Sequence, residues 1–158
     1  MTKEHVERAE RLSLSPSSKK MEKINAEELL RLARAARERA YAPYSGFRVG
    51  SALLDKDGQV HLGCNVENGA FSPTNCAERT ALFRAVADGV PRGAFRALAV
   101  VADLAGPCPP CGVCRQVLAE LCPPDMPVIM GNLQGATEIR TVSELLPGAF
   151  AWKGEDRG

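Results

Sequence analysis

Aromatic side chains are scarce, at 5% of the 158 residues, and no basic stripe accompanies them. A polynucleotide strand needs a cationic groove and stacking rings together, so the composition argues against a nucleic-acid partner. Charge of either sign is also lacking in excess. Twenty basic and 19 acidic side chains leave a net +1, which gives an anionic membrane surface nothing to attract. No apolar run approaches the roughly 20 residues of a spanning helix, so no membrane is expected as a partner. Residues 1–23 are polar and charged, without the apolar centre of a secretory signal. A cytoplasmic, reducing location is the expectation, and there the six cysteines read as thiols or metal ligands rather than disulfides. Histidine is nearly absent: His5 lies in the N-terminal tail, and His61 stands alone on a predicted strand, a polar or packing residue rather than a ligand.

What is present fits one domain whose core needs no crosslinks. Residues 1–23 hold Ser13, Ser15, Ser17, Ser18, Pro16 and the Lys19-Lys20 pair and read as a flexible extension, with a short helical piece over Glu4–Leu12. The domain is placed at residues 24–152, and residues 153–158 form a flexible tail. Asn25 is expected to cap a helix running to about Ala40, with Leu29, Leu32, Ala33 and Ala36 on its apolar face. Val49–Leu54 and Gln59–Cys64 read as strands joined at Asp57-Gly58, a strong hairpin signal. The loop Asn65–Asn75 follows. A helix is then predicted from near Cys76 to about Asp88, with Ala81, Leu82 and Val86 inward. After it come a strand over Ala97–Val101, a helix over Cys111–Leu121, strands Pro127–Met130 and Glu138–Thr141, and a last short helix Val142–Leu146. This order predicts an α/β fold of three layers, α/β/α, around a central mixed five-stranded sheet.

Cysteine is where the chemistry concentrates. Cys76 opens one predicted helix, and Pro110-Cys111-Gly112-Val113-Cys114 opens another. A helix N-terminus lowers a thiol's pKa and favours the thiolate that binds zinc. Three protein ligands leave zinc a fourth position for water, whereas a structural site closes that position. Glu78, two residues past the first ligand, then faces the same cavity as a general acid and base. The second cluster contains two overlapping C-x-x-C units, because Cys108 precedes Cys111 at the same spacing. Cys111 and Cys114 are the better pair, since Gly112 leaves the backbone free to wrap a metal and good helix formers follow. Cys108, in a proline-rich turn, reads as a thiol just outside the ligand set or facing solvent. Cys64 and Cys122 read as ordinary packing residues. Three thiolates outweigh Zn²⁺ and give the site a formal charge of about −1, which works against acidifying water. Arg79 and Arg115 are placed to offset that charge by donating to thiolate sulfur.

Five segments taken in order resemble the small homotetrameric zinc-dependent cytidine deaminases. They are Tyr44-Ser45-Gly46-Phe47-Arg48-Val49-Gly50, Gly63-Cys64-Asn65-Val66-Glu67-Asn68, Cys76-Ala77-Glu78-Arg79-Thr80-Ala81, Pro110-Cys111-Gly112-Val113-Cys114-Arg115-Gln116-Val117 and Glu144-Leu145-Leu146-Pro147-Gly148-Ala149-Phe150. A ligand, any residue and Glu, followed later by P-C-x-x-C, is the layout of zinc base deaminases. The resemblance implies hydrolytic deamination of cytidine and deoxycytidine in pyrimidine salvage, with one zinc per subunit on Cys76, Cys111 and Cys114. It implies that Glu78 moves protons from water to the ring nitrogen N3 and then to the leaving amine. It assigns Asn65 and Glu67 to the ribose hydroxyls, Phe47 to the base, the Ala77 backbone N–H to the pyrimidine edge, and the backbone from Pro109 to Cys111 to the leaving group. Phe150 would reach a neighbouring subunit's site in a homotetramer.

The chain departs from the family pattern at Phe71, where Tyr is frequent, at Gly69, where Ala is typical, and at Arg48. Two rival readings stand beside this one. A cytosine nucleoside antibiotic such as blasticidin S could be the substrate of the same chemistry. Alternatively, Cys108 could close a four-cysteine structural zinc in a non-catalytic binding module, which would leave Glu78 and the ribose loop without a task.

Overall fold

The computed structural model describes residues 24–152, so the extension expected over residues 1–23 and the tail expected over residues 153–158 lie outside the described residues. Asn25 caps helix α1 (Ala26–Arg37), its side-chain oxygen accepting from the Glu28 N–H at 3.0 Å. Leu29, Ala33 and Ala36 are buried, and Leu32 is partly covered at the edge of the same cluster. The helix ends at Arg37, short of the expected Ala40. Arg39 and Ala40 tighten onto the carbonyls of Ala36 and Arg37, and the Tyr41 N–H bonds the Asn65 carbonyl instead.

Strands β1 (Val49–Asp55) and β2 (Val60–Cys64) pair antiparallel as predicted. Gly58 supplies the turn with φ +83°, and an Asp55 carboxylate oxygen accepts the Asp57 and Gln59 N–H groups, each at 2.9 Å. His61 closes the same hairpin: its Nε2 lies 2.8 Å from the other Asp55 oxygen, the polar duty expected of it. Helix α2 (Ala77–Ala87), strand β3 (Phe95–Ala102), helix α3 (Gly112–Leu121), strands β4 (Pro127–Asn132) and β5 (Thr137–Thr141) and the short helix α4 (Val142–Leu145) complete the described chain. Val86, expected inward on α2, is 44% exposed, and Ala85 is buried in its place. The buried stripe Ala77, Glu78, Ala81, Leu82, Ala85 already fills one helix face, so Val86 is turned out of it. Among the described residues no helix is long and apolar enough to cross a membrane.

The sheet runs β2-β1-β3-β4-β5, with β3 and β4 parallel and the other neighbours antiparallel. Alternate residues of its inner strands feed two cores. Ala52, Leu54, Ala97, Ala99, Val101 and Ile129 pack under α1, while Leu53, Leu98, Val100, Val128 and Met130 pack with residues of α2, α3 and α4. This makes the expected three layers, and it explains why β1 is buried along its whole length. Two glycines set the spacing. A Cβ on Gly50 would lie 1.9 Å from the Ala33 carbonyl of α1, and one on Gly63 would lie 2.3 Å from the Ala77 carbonyl of α2. Helix backbone thus rests directly on strand backbone on both faces.

This topology places the site. β2 and β3 each run antiparallel to β1, so they leave the sheet at the same end. Each is followed by a loop and then a helix, and the N-termini of α2 and α3 therefore meet there.

Candidate active site

Cys76 and Cys111 occupy the N-cap positions of α2 and α3, and neither side chain makes a capping hydrogen bond to its helix. Ser, Thr, Asp or Asn at that position would spend its oxygen on the first N–H groups. Cysteine leaves the sulfur free and keeps the partly positive helix end behind it. Cys114, fully buried, sits in the first turn of α3. The three sulfurs lie within 4.8 Å of one another, and Cys76 and Cys111 are 3.8 Å apart. Zn–S bonds of about 2.3 Å in a tetrahedron put neighbouring sulfurs about 3.8 Å apart. The thiols as they stand fit one zinc ion.

Hydrogen bonding from Cys114, then from Arg79 and Cys111, brings Cys76 down to about 5 against the opposing effect of burial. Cys114, the donor in that pair, is pushed up for the same reason. Arg79 lies one turn along α2 and donates to the Cys76 sulfur at 3.3 Å, as anticipated. Its Nε is a buried nitrogen with no hydrogen-bond partner among the described residues. Arg115 behaves differently from the expectation. Its guanidinium donates to the Pro110 carbonyl at 2.8 Å and the Leu145 carbonyl at 2.9 Å, so it braces the ligand turn through backbone oxygens rather than sulfur. The physical reason is the rotation of one residue along the helix, which carries Arg115 away from the Cys114 side.

Cys108 is not part of the sulfur cluster. It is buried at 5% exposure rather than facing solvent, because its N–H bonds the Gly131 carbonyl and draws the proline-rich turn onto β4. Burial pushes its thiol up to about 12, with Glu78 and the Cys76 thiolate acting in the same direction. Its place outside the group of three sulfurs is what separates it from the ligand set. Cys122 is a core residue, and Cys64 is half-covered and bonds the Arg39 carbonyl.

Glu78 is only 3% exposed, on the first turn of α2. Burial is the main force raising its carboxyl to about 7. Its own backbone N–H, Arg79 and Cys114 oppose that rise, and the Cys76 thiolate adds to it. A buried carboxyl poised near neutrality beside a metal-binding cluster can accept and return a proton.

The loop after β2 carries Asn65 and Glu67. Asn65 is nearly buried; its oxygen accepts from the Val49 N–H at 2.8 Å and its amide donates to the Phe47 carbonyl at 2.7 Å. Glu67 accepts from the Tyr44 N–H at 2.8 Å, the Ser45 N–H at 3.2 Å and the Ser45 hydroxyl, and these bonds, the hydroxyl first, hold its carboxyl below the usual range. Both side chains are therefore anchored to the Tyr44–Phe47 segment. Sequence reasoning did not assign that anchoring to Tyr44 and Ser45, although both stand in the first motif. Ala77 is fully buried, and its N–H belongs to the first-turn donors that have no partner within a helix. Phe47 is 40% exposed and Phe150 70% exposed, both free to meet another molecule.

A cavity of about 450 Å³ beside Glu67 is lined by Tyr44, Ser45, Asn68, Phe71 and Thr74. Phe71 holds φ +59°, a left-handed conformation unusual for a bulky residue, and meets the Tyr44 ring edge-on at 6.3 Å. A Cβ on Gly69 would come within 2.8 Å of the Tyr44 hydroxyl, so the Gly69 departure makes room for that ring. Sequence reasoning also missed Asn132. Buried at the end of β4, it donates to the Leu104 and Ala105 carbonyls and fixes the loop that leads to Cys111.

Residues 23–130 match the cytidine and deoxycytidylate deaminase zinc-binding region. The chain belongs to that family. The cytidine deaminase of Sporosarcina psychrophila is 58% identical over 128 residues, covering 81% of this chain and 93% of that protein. A cytidine deaminase of Mycobacterium tuberculosis is 39% identical over 119 residues, covering 70% of this chain and 78% of that one. Among solved structures, the cytidine deaminase from Burkholderia pseudomallei superposes with a TM-score of 0.79 at 51% identity, covering 80% of this chain and 100% of that chain. That from Mycobacterium leprae gives 0.68 at 35% identity, covering 79% and 99%. The mixed five-stranded fold and the three-cysteine cluster of this deaminase therefore sit on a known enzyme scaffold.

Proposed function

We propose that this chain catalyses hydrolytic deamination of cytidine and deoxycytidine, giving the uracil nucleoside and ammonia. The observation that carries the reading is Glu78, buried two residues past Cys76 and beside a cluster of three thiols. Cys76, Cys111 and Cys114 would hold one zinc ion, which when bound would supply an electrophilic centre and acidify water. Glu78 takes one proton from the attacking water and places it on N3 of the ring, then takes the second from the new C4 hydroxyl and delivers it to the amine as the C4–N bond breaks. One carboxylate cycling between base and acid serves every transfer, and a pKa near neutrality suits both directions.

Asn65 and Glu67, held rigid by the Tyr44–Phe47 segment, bind the ribose hydroxyls, and Phe47 packs against the base. The Ala77 N–H reads the pyrimidine edge. Arg79 offsets the excess negative charge of the thiolates. Residues 24–152 form the catalytic unit, acting in cytoplasmic pyrimidine salvage. Phe150 completes a neighbouring subunit's site in a homotetramer, a reading supported by the exposure of Tyr44, Phe71, Phe83, Val113, Phe150 and Trp152 on the single chain.

The test is the ultraviolet absorbance of cytidine, deoxycytidine and blasticidin S, each mixed with zinc-loaded protein. Loss of the cytosine band for both nucleosides, with ammonia released in equal amount, is expected. Turnover of the antibiotic alone would overturn the substrate assignment. Sedimentation on the same sample should give four times the 16.9 kDa of one chain.

A further inference from the structure

Consecutive residues at the start of α3 serve different parts of the molecule. Cys114 enters the sulfur cluster, Arg115 bonds the Pro110 and Leu145 carbonyls, and Gln116 donates its side-chain amide to the Phe150 carbonyl at 3.0 Å. The chain that follows α4 has little else beneath it. Gly148 turns it with φ +66°, and a cavity of about 240 Å³ lies between Leu146–Ala149 and the side chains of Ala119, Pro124 and Val142. Phe150 is 70% exposed and Trp152 81% exposed. The root of this arm is firm, because α4 carries a full capping box between Thr141 and Glu144 and its first N–H groups bond Met126 and Pro124. Its outer part hangs from the helix that bears a metal ligand.

We propose that Gln116 is a positioning residue that fixes the arm, residues 146–152, to the metal-bearing helix so that Phe150 is presented at a set angle. The proposal rests on the reading that Phe150 contacts substrate in a neighbouring site. The carbonyl that Gln116 holds belongs to Phe150 itself, so the bond fixes the direction in which that side chain leaves the backbone. Arg115 acts one step earlier, joining the ligand turn to the base of the arm at Leu145. Substrate affinity, rather than the proton transfers at Glu78, is what loosening the arm would affect.

Trp152 is the chain's single tryptophan and stands two residues past Phe150, so its fluorescence anisotropy reports the arm directly. Gln116→Glu keeps the shape of the side chain but removes the donor, and Gln116→Lys restores a donor. With zinc content unchanged, Gln116→Glu is expected to lower Trp152 anisotropy. It should also raise KM for cytidine about three- to tenfold, the range of one partly exposed hydrogen bond, with kcat within about twofold. Gln116→Lys should return both toward the parent. Parental anisotropy and KM in Gln116→Glu would overturn the proposal, as would a matched loss of kcat and zinc that Gln116→Lys does not restore. If the parent fails to deaminate cytidine, the active-site reading falls, while the anisotropy comparison still decides the role of Gln116.

Discussion

Burial holds the Glu78 carboxyl at about 7, above its ordinary 4.5. Ionising it is therefore harder in the folded chain than in the unfolded one. Below about pH 4.5 both states are protonated and nothing is lost; between about 4.5 and 7 the folded state is progressively penalised, and beyond that the penalty is constant. Its full size is on the order of 3 kcal/mol. Metal-free Glu78→Gln should accordingly be more stable than the metal-free parent at pH 8 and match it near pH 4, read from urea midpoints. Equal midpoints at both pH values would remove the buried charge from the account. Cys108 offers a second residue-scale test. It lies outside the sulfur cluster and is held toward its neutral thiol, so Cys108→Ser should keep zinc and at least half of the parental turnover. Loss of zinc in that variant would revive the four-cysteine reading. The grouping of Cys76, Cys111 and Cys114 beside a buried Glu78 was legible because residue type and spacing carry it. The contacts of Arg115 were not, because a one-residue step around a helix decides whether it meets sulfur or backbone, and sequence alone does not fix which carbonyls lie there.

At the scale of elements, the site depends on where α2 and α3 begin. Gly63 lets the first turn of α2 touch β2, with the Ala77 carbonyl where a Cβ would otherwise be. Gly63→Ala must push back the backbone next to Cys76, and the obstacle is a carbonyl rather than a flexible side chain. The expected result is a melting temperature lower by on the order of 10 °C and sub-stoichiometric zinc, measured by calorimetry and metal analysis. A fully zinc-loaded Gly63→Ala of parental stability would show that this contact is not what seats α2. Helices and strands were readable from periodicity and turn residues, and the hairpin at Asp57-Gly58 formed where it was expected. Their ends were less readable. α1 stops early because Tyr41 pairs with Asn65, and β3 and β4 run longer than predicted because sheet neighbours extend them. Those are tertiary contacts that local sequence does not encode. Val86 shows the same limit: an apolar residue one step past a filled helix face stays outside.

For the whole molecule, strand direction turns distant sequence into one site. β2 and β3 leave the sheet at the same end, and so Cys76 meets Cys111, 35 positions further along the chain, together with Cys114. The element order made a three-layer mixed sheet the natural solution, but the strand order β2-β1-β3-β4-β5 came only with the structure, since several pairings satisfy the same order of elements. Exposed aromatics such as Phe71, Phe150 and Trp152 point to surfaces that a single chain leaves uncovered. All of this converges on a deaminase of the zinc-binding family in which one buried carboxylate stands beside the three thiols that would hold the metal. The most direct measurement follows the conversion of cytidine to uridine by the parent and by Glu78→Gln, with zinc determined on the same samples. The account predicts one zinc per chain in both proteins, turnover in the parent, and a loss of at least about 100-fold in kcat for the variant. Zinc in both with comparable turnover would contradict it.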